Sequence, residues 1–190
     1  MGKVETRSKI LASAFECFSA RDYHEVKIID IAIQAGLGKG TIYEYFSSKE
    51  ELFKELFKFI SDTYKSQMQE VLIGDSTSEN KLIALYERHL VLHEEMKNRA
   101  NGIVLMQKIL SLELQDDMYA NRLEMMALFS GVIEEGIAKK EIRSDVDRQT
   151  LLLHLLVGLP AICILFEQDK SNPKDRAERY IHLLFQGIRA

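Results

Sequence analysis

An ammonium group, hydroxyl groups and a glycine lie close together in residues 39–45, which read Lys-Gly-Thr-Ile-Tyr-Glu-Tyr. Cationic and hydroxyl side chains are the groups that proteins commonly use to bind the phosphate oxygens of nucleic acids. Gly40 carries no side chain, so another molecule can approach the backbone closely there. Since a turn at residues 36–38 precedes the segment, we expect a short helix that presents these groups to a groove of DNA.

Apolar side chains recur at helical spacing on both sides of this turn. They are Ile28, Ile31 and Ala32 before it and Ile42, Tyr45 and Phe46 after it. Because helices this short are not stable alone, they need a third helix to pack against. Residues 7–21 provide it, with an apolar stripe along one face. The first fifty residues are therefore predicted to form a three-helix unit that contains a helix-turn-helix.

A further helix is predicted to begin at Ser48, because Ser48 and Glu51 have the spacing of a capping box. In that motif the serine hydroxyl accepts a hydrogen bond from a free backbone N–H and the glutamate reaches back to the start of the helix. Lys49 lies beside the same free N–H groups. We therefore expect Lys49 to help bind a phosphate.

The segment from Arg7 to Phe53 resembles the DNA-binding domain of the TetR family of bacterial transcriptional repressors. Six pieces follow in the order and spacing of that family, namely residues 10–18, Tyr23, and residues 30–32, 35–37, 39–46 and 48–53. The resemblance implies that Lys39, Thr41, Tyr43 and Lys49 contact phosphates, and that Gly40, Glu44 and Tyr45 lie near base edges or the backbone.

Three positions near this segment qualify the expected DNA contacts. Lys27 could also meet a phosphate. Ile29 stands where family members often carry an arginine that reaches a base, so it offers only apolar contact, for example with a thymine methyl group. Glu44 stands where histidine is frequent; its carboxylate can accept a hydrogen bond from cytosine N4 but is repelled by phosphate.

Composition limits the remaining possibilities. The chain has 190 residues, of which 46% are apolar, enough for one substantial core and a small satellite domain. Its net charge of −4 gives no global sign of a nucleic-acid partner, so DNA binding must depend on local cations.

We expect a cytoplasmic protein, since the chain does not open like a signal peptide. Cys17 and Cys163 are expected to be reduced, buried thiols.

Helical patterns continue along the rest of the chain. They cover residues 48–72, 79–98, 102–114, 116–140, 146–168 and 174–188. The predicted fold is all-α, with about nine helices in two domains. Residues 1–47 form the helix-turn-helix domain, and residues 48–190 form a larger helical bundle for ligand binding and dimerisation.

Residues 151–166 are apolar around nearly the whole helix circumference. Sixteen residues are fewer than the roughly 20 that a bilayer span needs, so we expect protein to cover this helix on every side. The last helix adds a second apolar stripe, and two copies of the pair would form a four-helix interface. The predicted interface residues are Leu155, Leu159, Ile162, Tyr180, Leu184 and Ile188. Alternatively, both helices only close the core of the monomer.

The resemblance implies a homodimer formed by the last two long helices. A twofold dimer would place two recognition helices on half-sites about 34 to 36 Å apart, so the operator should be an inverted repeat. A small molecule bound between the middle helices would change that spacing and release the DNA. In the family this usually relieves repression, although some members are activators.

Aromatic and methionine side chains supply candidates for an apolar ligand pocket. They are Phe57, Phe59, Ile60, Tyr64, Met68, Tyr86, Met106, Met125, Phe129 and Phe166. Each could equally be a core residue, and the ligand is specified only as small, and apolar or cationic-amphiphilic. His89 and His93 have the spacing of a metal pair, but core or solvated histidines are favoured, and we predict no metal or cofactor.

Two other classes of function remain as alternatives. An enzyme is disfavoured, because neighbouring acids such as Glu134 and Glu135 diverge on a helix and the chain has no phosphate loop or nucleophile elbow. A helical adaptor that binds another protein would leave Lys39, Gly40, Tyr43 and Lys49 without a role. The ligand, the operator sequence and the regulated genes are not specified by the sequence.

Overall fold

The computed structural model describes residues 2–97 and 115–189, with the side chains of 2–95 and 119–189. These residues form eight α-helices and no strand. The helices are α1 (Lys3–Ala20), α2 (Ile28–Gln34), α3 (Lys39–Tyr45), α4 (Lys49–Glu70), α5 (Ser78–Lys97), α6 (Gln115–Ala138), α7 (Arg148–Leu165) and α8 (Pro173–Ile188). The all-α prediction is confirmed for this part of the chain. The helix predicted at 102–114 lies outside the described residues.

Polar residues fix the starts of the last two helices. The Asp147 carboxylate accepts a 3.0 Å hydrogen bond from the backbone N–H of Thr150 at the start of α7. The Asn172 side chain accepts a 2.8 Å bond from the backbone N–H of Asp175, and Pro173 occupies the first turn of α8. These caps satisfy N–H groups that have no partner within the helix.

The chain divides into two compact units. The first contains residues 2–62 and the described residues of 95–118, and the second contains residues 63–94 and 119–189. The boundary between Asp62 and Thr63 falls inside α4. The predicted domains, 1–47 and 48–190, divide the chain earlier, at the start of that helix.

The first unit has an apolar core built from α1 to α4. Its most deeply buried side chains are Ile10, Leu11, Ala14, Phe18, Ile31, Ala32, Ile42, Phe46, Leu52 and Phe53. Gly36 connects α2 to α3 with a φ of +60°, a left-handed conformation that glycine adopts without steric cost. The backbone N–H of Leu37 closes this turn on the Ala32 carbonyl oxygen at 2.9 Å. The predicted three-helix unit is present.

The second unit has its own core, formed by α5 to α8 and the end of α4. Its fully buried side chains include Met68, Leu82, Leu85, Tyr86, Phe129, Leu155, Ile162, Ala177 and Ile181. Cys17 in the first unit and Cys163 in the second are both buried and free, as predicted.

Helix α7 is the most apolar of the six described helices that are longer than seven residues. Its 18 residues are fewer than the 23 of the helix predicted at 146–168. With a mean hydropathy of 1.7, the helix would suit a membrane span by length and composition alone. Core helices of soluble proteins meet the same criteria, so one such helix is weak evidence for a span. Only 33% of its residues are buried within the chain.

Candidate nucleic-acid interface

Helix α3 presents nearly all of its side chains outward. Only Ile42 is buried, while Lys39, Tyr43 and Glu44 are exposed. Thr41 and Tyr45, the remaining predicted contacts on this helix, are partly buried. The Lys39 ammonium lies 5.7 Å from the centre of the Tyr43 ring, so the cation and this hydroxyl-bearing ring are neighbours.

The backbone of α3 is open at Gly40. A Cβ atom placed there would meet no atom of the part of the chain that the structure describes within 4 Å. The missing side chain therefore leaves space for an incoming molecule, and nothing in the fold requires a glycine here. Together with the exposed ammonium of Lys39, this surface suits a phosphate backbone, whereas the Glu44 carboxylate opposes it.

Lys27 precedes α2 and has an exposed side chain. Its backbone N–H donates a 3.0 Å hydrogen bond to the Asp30 carboxylate, which also pairs with Arg21 at 3.1 Å. The hydrogen bond from Lys27 and the nearby Arg21 guanidinium lower the pKa of Asp30. Asp30 thus caps α2 through the backbone of Lys27.

Lys49 is placed differently from the other candidate contacts. Its ammonium donates hydrogen bonds to the carbonyl oxygens of Tyr23 at 2.8 Å and Val26 at 3.0 Å. It also lies 4.1 Å from the centre of the Tyr23 ring. Burial lowers the pKa of Lys49. The sequence predicted a phosphate contact here and did not anticipate these partners within the chain.

The predicted capping box at the start of α4 is correct in one half. The backbone N–H of Glu51 donates to the Ser48 hydroxyl at 3.0 Å, as expected. However, the Glu51 carboxylate accepts from the backbone N–H of Ser47 at 2.6 Å, one residue before the predicted partner. The hydrogen bonds from Ser47 lower the pKa of Glu51.

Arg7 is a residue that sequence reasoning did not single out. Its guanidinium forms an ion pair with Glu55 of α4 and lies 5.6 Å from the centre of the Phe46 ring, directly after α3. Arg7 therefore links α1, α4 and the residue that follows α3. Its place in the first predicted helix gave no signal for this, because the partners are distant in sequence.

The candidate ligand residues fall in both units. Met68, Tyr86 and Phe129 are fully buried in the second unit, where Tyr64, Met125 and Phe166 are partly buried. Phe57 is buried in the first unit, where Ile60 packs against the core and Phe59 is half exposed. Met106 lies outside the described residues.

A polar pair lies within the second unit. The Tyr64 hydroxyl and His89 Nδ1 share a hydrogen bond of 2.8 Å. His89 Nε2 and the Gln67 Oε1 atom are buried and have no hydrogen-bond partner among the described residues. Burial lowers the pKa of His89 to about 4, so its ring is neutral at physiological pH. No group of three or more histidine, cysteine or acidic side chains suited to a metal ion occurs among the residues described.

The predicted dimer residues mostly point into their own chain. Leu155, Leu159, Ile162 and Ile188 are buried in the core of the second unit, so their side chains are not available to a partner. Tyr180 and Leu184 are partly buried. The exposed apolar side chains of α7 and α8 are instead Leu153, Val157, Ile164, Leu165 and Leu183.

Comparisons with known proteins fit this arrangement. Residues 10–56 match the profile of bacterial regulatory proteins, tetR family. The chain is 30% identical over 139 residues to the fatty acid metabolism regulator protein of Bacillus subtilis, covering 73% of this chain and 72% of that protein. It is 25% identical over 145 residues to the transcriptional repressor KstR2 of Mycolicibacterium smegmatis, covering 74% and 69%.

Solved structures share the whole fold. The regulator FadR of Bacillus subtilis in complex with stearoyl-CoA superposes with a TM-score of 0.76 at 25% identity, covering 96% of this chain and 99% of that one. A TetR regulator of Chloroflexus aurantiacus gives a TM-score of 0.78 at 23% identity, covering 97% and 96%. The order of a small helix-turn-helix and a larger helical bundle is thus common to these proteins.

Proposed function

We infer that this chain, which belongs to the TetR family of bacterial regulatory proteins, is a cytoplasmic repressor. This DNA-binding transcriptional regulator binds an inverted-repeat operator as a homodimer. The observation that carries the proposal is the outward face of α3. Its exposed Lys39, Gly40 and Tyr43 have no role in the core, which leaves them free to meet a nucleic acid.

The contacts divide by chemistry. Lys27, Lys39, Thr41 and Tyr43 bind phosphates and set the register of α3 in the groove. Gly40 allows close approach of the DNA to the backbone, and Tyr45 lies near the base edges or the backbone. Glu44 restricts the sequence, because its carboxylate can accept a hydrogen bond from cytosine N4. Specificity then depends on few base contacts and affinity on the cations.

The homodimer is supported by the apolar face that α7 and α8 leave exposed. Leu153, Val157 and Ile164 recur at helical spacing along α7, and Leu183 is 71% exposed on α8. An exposed apolar stripe such as that of α7 marks an interaction surface. Two copies packed through it would form a four-helix interface and relate two α3 helices by a twofold axis.

The effector is a long-chain acyl-CoA. The support is the likeness to FadR of Bacillus subtilis, whose structure holds stearoyl-CoA, and to the fatty acid metabolism regulator of the same organism. The second unit also offers two buried polar atoms among apolar side chains, His89 Nε2 and Gln67 Oε1, which no described residue partners. Such a combination suits a ligand with a long apolar chain and a polar end.

Linkage determines how the effector acts. A ligand that binds better to the DNA-free form lowers operator affinity, and the operator lowers ligand affinity by the same factor. Acyl-CoA accumulation would then release the repressor. An increase in operator affinity on binding the ligand would instead make it a co-repressor.

Mobility-shift titrations with the DNA upstream of the protein's own gene test the proposal. We expect specific retardation that is lost in Tyr43→Ala and Lys39→Ala, and that stearoyl-CoA reverses. Lys174→Ala, which removes an exposed cation from α8, serves as the matched control and should bind normally. No specific retardation at low salt would contradict DNA binding, and favour a protein-binding adaptor. A reporter gene distinguishes repression from activation.

A further inference from the structure

We propose that Lys49 is a positioning residue of the DNA-binding unit and not one of its phosphate contacts. The inference rests on the proposed function, since it concerns how the recognition helix is held for DNA. It goes beyond that function because it pairs the Lys49 ammonium with carbonyl oxygens of its own chain and not with DNA.

Lys49 forms a clamp, by which we mean that its ammonium joins the start of α4 to the loop between α1 and α2. Lys49 is the first residue of α4, and both of its carbonyl partners, Tyr23 and Val26, lie in the loop between α1 and α2. The Tyr23 ring on which the ammonium rests is itself held by Phe18, stacked at 5.6 Å, and by Phe53, edge-on at 5.3 Å. The Tyr23 ring is therefore held against the core of the first unit.

The ammonium has little freedom to serve a phosphate as well. It carries three N–H donors, and the carbonyls of Tyr23 and Val26 take two of them. Turning Lys49 outward would break two charge-assisted hydrogen bonds and the contact with the Tyr23 ring. The carbonyl oxygens would lose these partners at the same time, which adds a desolvation cost.

The clamp acts on the recognition helix through α2. The loop that holds the Tyr23 and Val26 carbonyls leads directly into α2 at Ile28, and α2 packs against α3. Val26 is fully buried, so the loop cannot shift without disturbing the core. Lys49 thus fixes the entry of α2 against the start of α4, and with it the position of α3.

Salt dependence separates a positioning role from a phosphate contact. Each phosphate contact that is lost reduces the slope of log K against log salt by about 0.9 on duplex DNA. We expect Lys39→Met, which removes an exposed cation from each subunit of the homodimer, to reduce the slope by about twice this amount. We expect Lys49→Met to leave the slope unchanged while lowering operator affinity about tenfold. Both are measured in filter-binding or anisotropy titrations at several salt concentrations.

A purely structural role is tested by the same variants. Thermal denaturation first establishes a temperature at which wild type and variant are fully folded, and affinities are compared there. Lys49→Gln keeps an amide donor for the carbonyls and replaces Lys49→Met if that variant does not fold. The expected result for either is weaker operator binding by folded protein with the wild-type slope.

Two results would overturn the proposal. One is a slope reduced as much as in Lys39→Met, since Lys49 would then contact a phosphate. The other is wild-type affinity in a folded but less stable variant, since the clamp would then only stabilise the fold. Failure of the wild-type protein to bind any operator specifically would instead refute the proposed function, and this role with it.

Discussion

The Tyr86 hydroxyl of α5 donates a 2.7 Å hydrogen bond to the carbonyl oxygen of Leu155 in α7. The Tyr180 ring of α8 stacks on the Tyr86 ring, with centroids 5.0 Å apart. Both hydroxyls lie against Gly158: a Cβ atom there would overlap the Tyr180 hydroxyl and lie 2.9 Å from that of Tyr86. Three helices therefore meet at a point where only a hydrogen fits.

Gly158→Ala should destabilise the protein by about 1–3 kcal/mol, because the added methyl group must displace the Tyr180 ring from its stack. Urea denaturation followed by circular dichroism measures the change. Gly131→Ala in α6 is the matched control, since its Cβ would meet nothing within 4 Å. There the better helix propensity of alanine should add about 0.5–1 kcal/mol. Equal effects of the two substitutions would contradict this packing.

The buried lysine of α5 gives a second prediction. Lys81 is 7% exposed, and its ammonium donates to both oxygens of Glu135 at 2.9 and 2.7 Å. Glu135→Ala leaves that ammonium without its main partner, which should cost about 3 kcal/mol. Glu134→Ala removes a neighbouring acid whose side chain is 59% exposed and which pairs with Arg148, and should cost under about 1 kcal/mol. Chemical denaturation of both variants tests the difference.

Acid should destabilise the second unit through His89. Because burial lowers its pKa from 6.5 to about 4, the unfolded chain binds a proton at a higher pH than the folded one. The stabilisation is therefore complete above pH 6.5 and is lost as the pH falls toward 4. Between these values the wild type should lose on the order of 2 kcal/mol more than His89→Gln.

Unfolding free energies measured at several pH values test this difference. Carboxyl groups titrate in both proteins, so only the difference between them reports on His89. His24→Gln, which replaces an exposed histidine, is the control and should follow the wild type. Parallel curves for the wild type and His89→Gln would mean that His89 becomes protonated in the folded protein at no cost.

The first unit could be predicted from sequence because its signals are local. The buried stripe of α2, the left-handed Gly36 and the exposed groups of α3 are all set by spacing within about twenty residues. The contacts of Lys49 could not be predicted, because its acceptors are backbone carbonyls more than twenty residues away. Every residue carries a backbone carbonyl, so no side-chain type in the sequence marks these acceptors.

The side of α7 that packs in the core could not be predicted, for a different reason. Its apolar residues surround the helix, so periodicity cannot distinguish the side that packs in the chain from the side left open. The sequence pattern predicts Leu155 and Ile162 in the dimer interface. In the structure these two side chains lie in the core, whereas Leu153 and Val157 are exposed. Only the packing of α8 and the other neighbouring helices decides between the two sides.

The exposed face of α7 should hold the dimer together. Val157 is 58% exposed in the single chain, so Val157→Asp should leave the fold intact and place a carboxylate in the proposed interface. Burying that charge against a second apolar face is costly, and we expect a monomer in analytical ultracentrifugation where the wild type is a dimer. Ile73→Asp alters a residue that is 82% exposed outside α7 and α8, and should remain dimeric.

Because a monomer holds a single recognition helix, Val157→Asp should also lose its preference for a two-half-site operator over one half-site. A dimeric Val157→Asp would place the interface elsewhere.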